Sequence, residues 1–288
     1  MAMAGGVPDL LLIAIFAFLL GTQGATAVKF TFRNNCPETV WPATLTAAGR
    51  PAFPTTGFAQ APGASLSFPG VGATWSGRVW ARYRCTGGAG FSCESGDCGT
   101  GQLACNGAGG APPATLAEFT LGGGAGLDTD FYDVSNVDGF NLPVEIEPTT
   151  AGGRCPTASC PADINRVCPS ELAARALASP PSPASNGTAG GAAAVVGCKS
   201  ACLAFNTDEY CCRGQFASPA TCRPTGYSRL FKAQCPEAYS YAYDDGSSTF
   251  TCNATADYQI TFCPGSGGRA AQGRGDKPVQ LPTSGSNF

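Results

Sequence analysis

Glu118 and Arg78 are the charged side chains whose placement asks for a reason. Glu118 interrupts the apolar run LAEFTL at 116–121, where a carboxylate costs free energy unless it is paired or solvated. Arg78 alternates with Val79 and Ala81, which puts it on one strand face with Trp80 and Arg82, away from Val79, Ala81 and Tyr83. A carboxylate so placed can accept hydrogen bonds or hold a catalytic proton, and a guanidinium can oppose its charge. The sequence has no His. That excludes a Ser-His-Asp triad, a Cys-His dyad and any His-containing zinc site, and leaves Ser76 and the other hydroxyls without a base to activate them.

The chain has 16 Cys, an even number that in a secreted protein implies up to eight disulfides. Spacing alone leaves roughly two million pairings open. Cys211 and Cys212 are adjacent and no pair of C-x-x-C motifs stands at zinc-ribbon spacing, so no metal and no cofactor are expected. The net charge of −3 and pI near 5.0 argue against a nucleic-acid partner. Charged residues make up 13% of the chain and hydrophobic ones 43%, which is not the composition of a disordered, charge-rich segment.

The elements that must position these groups read as short strands. Val28, Phe30 and Phe32 alternate with Lys29 and Thr31; Ala117, Phe119 and Leu121 alternate with Leu116, Glu118 and Thr120. Phe140, Leu142, Val144 and Ile146 form a further run, as do Tyr258, Ile260 and Phe262. With Gly and Pro between them, these strands predict a mainly β protein, a flattened sandwich or barrel core with two small disulfide-rich lobes. The core is expected over 28–82, 114–161 and 236–264, a small loop lobe over 83–113 and a Cys-rich lobe over 162–235. In that second lobe Ser170 and Glu171 are expected to open a short helix through Ala178, and Cys198 and Cys202, four apart, to share a helical face. Residues 122–124 (GGG) read as a turn. Trp41, Trp75 and Trp80 are candidates for sugar stacking, with core packing expected for at least one.

Residues 10–20 (LLLIAIFAFLL) are apolar but shorter than the ~20 residues that cross a bilayer. Ala25-Thr26-Ala27 follows as a small-x-small cleavage signal, so 1–27 is read as a secretory signal peptide, although its start carries Asp9 and no Lys or Arg. No transmembrane segment is expected in the rest. Asn186-Gly187-Thr188 and Asn253-Ala254-Thr255 are glycosylation sequons. Residues 179–191 read as a flexible insertion and 265–288 as a disordered tail; the Arg274-Gly275-Asp276 tripeptide in that tail is attributed to chance.

Several segments in order resemble the thaumatin-like proteins, the plant defence family that includes osmotin and thaumatin. They are FRNNCP at 32–37 with TVWP at 39–42, SGRVWAR at 76–82, CESGDCG at 93–99 running to QLAC at 102–105, AEFTL at 117–121, DFYDVS at 130–135, VDGFNLP at 137–143, YSRLFK at 227–232, CPEAYSY at 235–241 and FCP at 262–264. The likeness spans nearly the whole chain after the leader. It departs at Ala89, where the family signature opens with Gly, and in expanded loops at 168–198 and 212–222.

The resemblance implies the bridges Cys36–Cys263, Cys85–Cys93, Cys98–Cys105, Cys155–Cys252, Cys160–Cys235, Cys168–Cys198, Cys202–Cys211 and Cys212–Cys222. It also implies a cleft lined by Arg78, Glu118, Asp133, Asp138 and Asp244, with Asp245 the alternative for the last. Such a cleft suits binding of a neutral β-1,3-glucan or another fungal cell-wall or membrane component. It also suits an endo-β-1,3-glucanase in which Glu118 is the acid and Asp133 its partner. A structural ion-pair network among the same residues is the plain alternative. A secreted, antifungal, glycosylated monomer in the apoplast is expected, with the vacuole as the other destination. A sweet-tasting or storage role fits less well, because the sweet members are basic and lack part of the acidic set.

Overall fold

The structure is a computed structural model that describes residues 27–87, 90–123, 128–149, 155–176, 193–253 and 256–266. The leader, apart from Ala27, lies outside the described residues, as do Ala89, the 179–191 insertion with Asn186, and residues 267–288 of the tail.

The alternating segments pair into two sheets. The first contains β1 (Ala27–Asn34), β3 (Ser65–Gly72), β8 (Val144–Pro148), β9 (Ala158–Cys160) and β13 (Tyr258–Phe262), in the order β3-β1-β13-β8-β9. The second contains β2 (Val40–Thr46), β4 (Ser76–Thr86), β6 (Leu116–Thr120), β7 (Thr129–Ser135) and β12 (Phe250–Asn253), in the order β12-β7-β6-β4-β2, with β5 (Ser92–Ser95) paired to the far end of β4. β1 and β13 run parallel, and the other pairs are antiparallel.

The inward-facing residues of both sheets make one aromatic core. Phe30 meets Phe119 edge-on at 5.0 Å between ring centroids, and Phe119 meets Tyr258 at 5.2 Å. Trp75 fits between Phe30 and Phe53 at 5.4 and 5.1 Å. Such edge-to-face pairs add to the burial of ring area, and here they join the two sheets directly. Asp130 on β7 is also buried between the sheets, where it accepts hydrogen bonds from the Gly122 amide and the Tyr258 hydroxyl, each at 2.8 Å. The two partners answer the cost of burying the carboxyl.

Outside the sandwich lie β10 (Ala173–Arg175) and β11 (Val195–Cys198), paired as a ribbon, and helices α1 (Ala201–Phe205), α2 (Asp208–Cys211), α3 (Gly226–Gln234) and α4 (Asp245–Ser248). Two local expectations fail here. Residues 170–175 form a turn and a strand in place of a helix: Leu172 is fully buried and β10 pairs with β11, so tertiary pairing overrides the capping signal. Cys198 and Cys202 share no helix. Cys198 ends β11, and the Ser200 side chain, capping the Leu203 amide, starts α1 after it.

The sixteen cysteines pair as Cys36–Cys263, Cys85–Cys93, Cys98–Cys105, Cys155–Cys252, Cys160–Cys235, Cys168–Cys198, Cys202–Cys211 and Cys212–Cys222, the pairs the resemblance implies. None is free among the described residues. The short helices of the Cys-rich region have little core of their own, and closed loops of this kind stabilise chiefly through the unfolded state.

Candidate functional site

The register of the second sheet brings three charged residues into one row. Arg78 on β4 stands opposite Glu118 on β6, and Glu118 stands opposite Asp133 on β7. Directly opposed residues have Cβ atoms about 4.5–5.5 Å apart, so the three side chains rise side by side from the outer face of the sheet. The row two residues along is polar and aromatic: Ser76, Thr120 and Phe131 stand opposite one another in turn. The Ser76 and Thr120 hydroxyls are 3.2 Å apart, and Phe131 is 41% exposed.

Gly77 is what allows β2 to close against this floor. A Cβ there would come within 2.3 Å of the Leu45 carbonyl oxygen and 2.7 Å of the Trp75 ring. Asp138 is delivered by the turn after β7, closed by the Gly139 amide donating to the Asn136 carbonyl. Gly139 has φ +83°, and a Cβ on it would meet the Cys198 carbonyl at 2.6 Å, so the turn requires glycine. Asp138 Oδ2 then sits 3.8 Å from Arg78 Nη1, a half-exposed pair that adds little stability of its own.

The segment after α3 supplies the opposite wall. The Asn136 amide donates to the Tyr239 carbonyl and the Tyr239 amide to the Val134 carbonyl, both at 2.9 Å. Tyr239 Oη then donates to Asp245 Oδ1 at 2.7 Å. Asp244 is turned elsewhere: its Oδ2 accepts from the Ser240 amide and hydroxyl at 2.9 and 2.8 Å and lies 3.0 Å from Lys232 Nζ. Of the adjacent pair, Asp245 is therefore the one whose charge is felt at Asp133, while Asp244 holds the wall in place.

Burial, then the neighbouring Glu118 and Asp245 charges, push the Asp133 carboxyl up to about 8. Its Oδ1 is buried with no hydrogen-bond partner among the described residues. Burial also pushes Glu118 up, with Arg78 pulling it down and Asp138 pushing it up. Two coupled carboxyls beside one guanidinium make a row that retains a proton at neutral pH.

Two adjoining hollows, of about 560 and 340 Å³, share Arg78, Glu118 and Asp133 in their walls. The larger extends over Ser76, Thr120 and Phe131 to Leu45, the smaller over Asp138 and Tyr239. Together they form an open groove whose floor carries acceptors and hydroxyls and whose side carries an exposed ring. No group of His, Cys, Asp and Glu suited to a metal ion occurs among the described residues.

The tryptophans take no part in the groove floor. Trp75 and Trp80 are buried; Trp80 Nε1 donates to the Gly96 carbonyl at 2.8 Å, and the loop lobe covers a ring that shares Arg78's strand face. Trp41 is half-buried against Phe91. Phe131 and Tyr239, which line the groove, were left aside by sequence reasoning, and Asp245, which Tyr239 binds from behind, was left unresolved against Asp244. The signal for Phe131 was present, since it lies two residues before Asp133 and so on the same strand face.

A family model described as the thaumatin family matches residues 34–264. The chain belongs to the thaumatin family. This thaumatin-family protein is 51% identical to "Thaumatin-like protein 1" of Pyrus pyrifolia over 87% of its own length and 96% of the relative's. It is 52% identical to "Thaumatin-like protein 1" of Castanea sativa over 84% and 93% of the two chains. A protein of Prunus avium called "Glucan endo-1,3-beta-glucosidase" is 49% identical over 85% and 94%. Among the described residues no helix is long and apolar enough to cross a membrane.

Proposed function

We propose that this protein is a secreted, antifungal plant defence protein that binds β-1,3-glucan of the fungal wall in the groove over Arg78, Glu118 and Asp133. The observation that carries the reading is the cross-strand row itself: three ionisable groups in register on the outer face of the sheet, continued by Ser76, Thr120 and Phe131. Carboxylates and hydroxyls accept and donate to sugar hydroxyls, while an exposed ring offers its face to a pyranose. Arg78 and Asp138 fix the rim. Asp245, in place of Asp244, completes the acidic set in this reading. Binding as a monomer, a leader ending at residue 27, delivery to the apoplast or vacuole, and glycans on Asn186 and Asn253 belong to the same proposal; Asn253 is exposed at the end of β12. Eight disulfides fit an oxidising, extracytoplasmic destination.

A second reading, endo-β-1,3-glucanase, is favoured by the raised carboxyls of the row and by the name of the Prunus avium relative. With Asp133 holding its proton to about 8, Asp133 is the group suited to be the general acid and Glu118 the second carboxylate, the reverse of the order expected from sequence. Retaining and inverting hydrolysis alike need two carboxyls flanking the scissile bond. Glu118 and Asp133 rise from the same floor as cross-strand neighbours, which suits shared acceptance of hydroxyls better than attack from two sides. Binding is therefore the main reading.

Retention on insoluble β-1,3-glucan, measured beside a reducing-sugar assay, separates the two. Asp138→Asn, which removes one charge-assisted acceptor at the rim, is expected to weaken retention about five-fold. Unchanged retention would count against the groove. Glu118→Gln and Asp133→Asn are each expected to abolish any hydrolysis while leaving detectable retention; unchanged turnover in both would defeat their assignment as the catalytic pair, and no turnover by the wild-type protein would remove the glucanase reading.

A further inference from the structure

The Cys-rich region carries an aromatic cluster that the groove does not use. Phe205 at the end of α1, Tyr210 in α2 and Tyr227 at the start of α3 meet one another with ring centroids at 5.5, 5.4 and 5.9 Å. Each ring comes from a different short helix, and the Cys202–Cys211 and Cys212–Cys222 bridges clamp the segments that carry them. The cluster is not a sealed satellite core. Phe205 is 38% exposed and neighbouring Leu203 is 36% exposed. Tyr227 Oη donates to Glu171 Oε1 at 3.0 Å, which fixes the ring's edge and leaves a carboxylate beside it.

The cluster and the groove share wall residues. A small hollow of about 50 Å³ has Tyr210 and Tyr227 in its wall together with Val137 and Ala242. Val137 and Ala242 also line the Asp138 end of the groove. A path therefore runs from Phe131, over the charged row, past Val137 and Ala242, to Tyr210 and Tyr227. It has the exposed Phe131 at one end, the half-buried Tyr210 and Tyr227 packed against the exposed Phe205 at the other, and acceptors between them. Its chemistry matches a neutral, extended polymer whose repeating unit shows an apolar face and hydroxyl edges, the alternation of a linear glucan. A short sugar would occupy only the charged row.

Resting on the proposed glucan reading, we infer that Phe205, Tyr210 and Tyr227 form a distal stacking platform that makes binding depend on glucan chain length. The platform engages the part of the chain that leaves the groove at Val137, and each ring stacks on a sugar rather than donating to it.

The test is calorimetric titration of the full protein with a β-1,3-linked glucose trisaccharide and with the nonasaccharide. The wild-type protein is expected to bind the longer chain at least ~10-fold more tightly. Phe205→Ala and Tyr210→Ala are each expected to remove about three- to five-fold of that gain and to leave trisaccharide binding unchanged. Tyr227→Phe, which keeps the ring and loses the bond to Glu171, is expected to keep the gain. Should the alanine variants, shown folded by near-ultraviolet circular dichroism, retain the whole gain, or should wild type show none, the platform is overturned while the groove stands. Absence of binding to either oligomer would overturn the glucan reading itself, and the platform with it.

Discussion

Asp133→Asn is expected to stabilise the protein by about 2 kcal/mol at pH 7 and to change little at pH 4. In the folded chain burial, Glu118 and Asp245 hold the carboxyl up to about 8, whereas in the unfolded chain it titrates near 3.9. Between those values the folded state binds one proton more than the unfolded state, so stability falls as pH rises through that window. Below about 4 both states are protonated and the penalty is absent. Asparagine keeps the shape and never ionises. Its cost is small, because Asp133 Oδ1 has no hydrogen-bond partner to lose among the described residues. Urea unfolding of both proteins at pH 4, 6 and 8 should therefore give curves that coincide at the acid end and separate toward neutrality. Parallel pH profiles would mean that Asp133 ionises freely and that the row is wetter than its burial implies.

That same penalty bears on what the row is for. A packed hydrophobic residue at 133 would avoid it, and nothing in the sandwich core needs a carboxyl on the outer face. Stability given up at an open groove is the pattern expected where a ligand supplies the missing partner. A plain ion-pair network fits less well: the Arg78–Asp138 pair is long and half-exposed at 3.8 Å, and a single guanidinium faces several carboxylates.

The sequence made the strands legible but not their register. Period-two alternation at Phe30/Phe32, Ala117/Phe119 and Tyr258/Ile260/Phe262 locates β1, β6 and β13, because these residues are all buried while the partly exposed positions of β6 and β13 lie on the other face. It also flags Glu118 as misplaced in an apolar run. What alternation cannot give is the pairing that sets Arg78 against Glu118 and Glu118 against Asp133, since register is fixed by long-range packing and by close approaches such as Gly77 under Leu45. The disulfide pairs likewise came from family likeness, as spacing leaves them open. Asp244 and Asp245 are indistinguishable by position. Ser240 and Lys232 claim the first and Tyr239 the second only once the segment bridges β7. The helix expected after Ser170 failed because a locally good cap competes with the burial of Leu172 and with pairing across the Cys168–Cys198 bridge.

Arg82 was read from sequence only as a strand-face neighbour of Arg78, yet it carries the largest structural expectation. It is fully buried. Its Nε donates to the Trp41 carbonyl at 3.1 Å and its Nη2 to the Leu103 carbonyl at 2.7 Å, while the guanidinium lies 4.8 Å from the Phe91 ring centroid. One side chain thus joins β4, β2 and the loop lobe. Burial pulls the group down to about 10, with Asp97 opposing, so it remains charged at neutral pH and cannot escape by losing its proton. Asp97 itself is held by the Cys93 and Gly99 amides, so the lobe's turn survives the loss of Arg82 while its attachment does not. Arg82→Met fills much of the volume but leaves two carbonyls without donors, and is expected to cost about 3 kcal/mol. Arg82→Lys, a point charge that cannot fork to both carbonyls, is expected to recover less than half of it. The loss should be local before it is global: hydrogen exchange across residues 91–105 should quicken in both variants under conditions where β1 and β13 stay protected. Equal protection of that lobe in wild type and Arg82→Met would mean that the disulfides alone hold it, and that the buried guanidinium is tolerated rather than used.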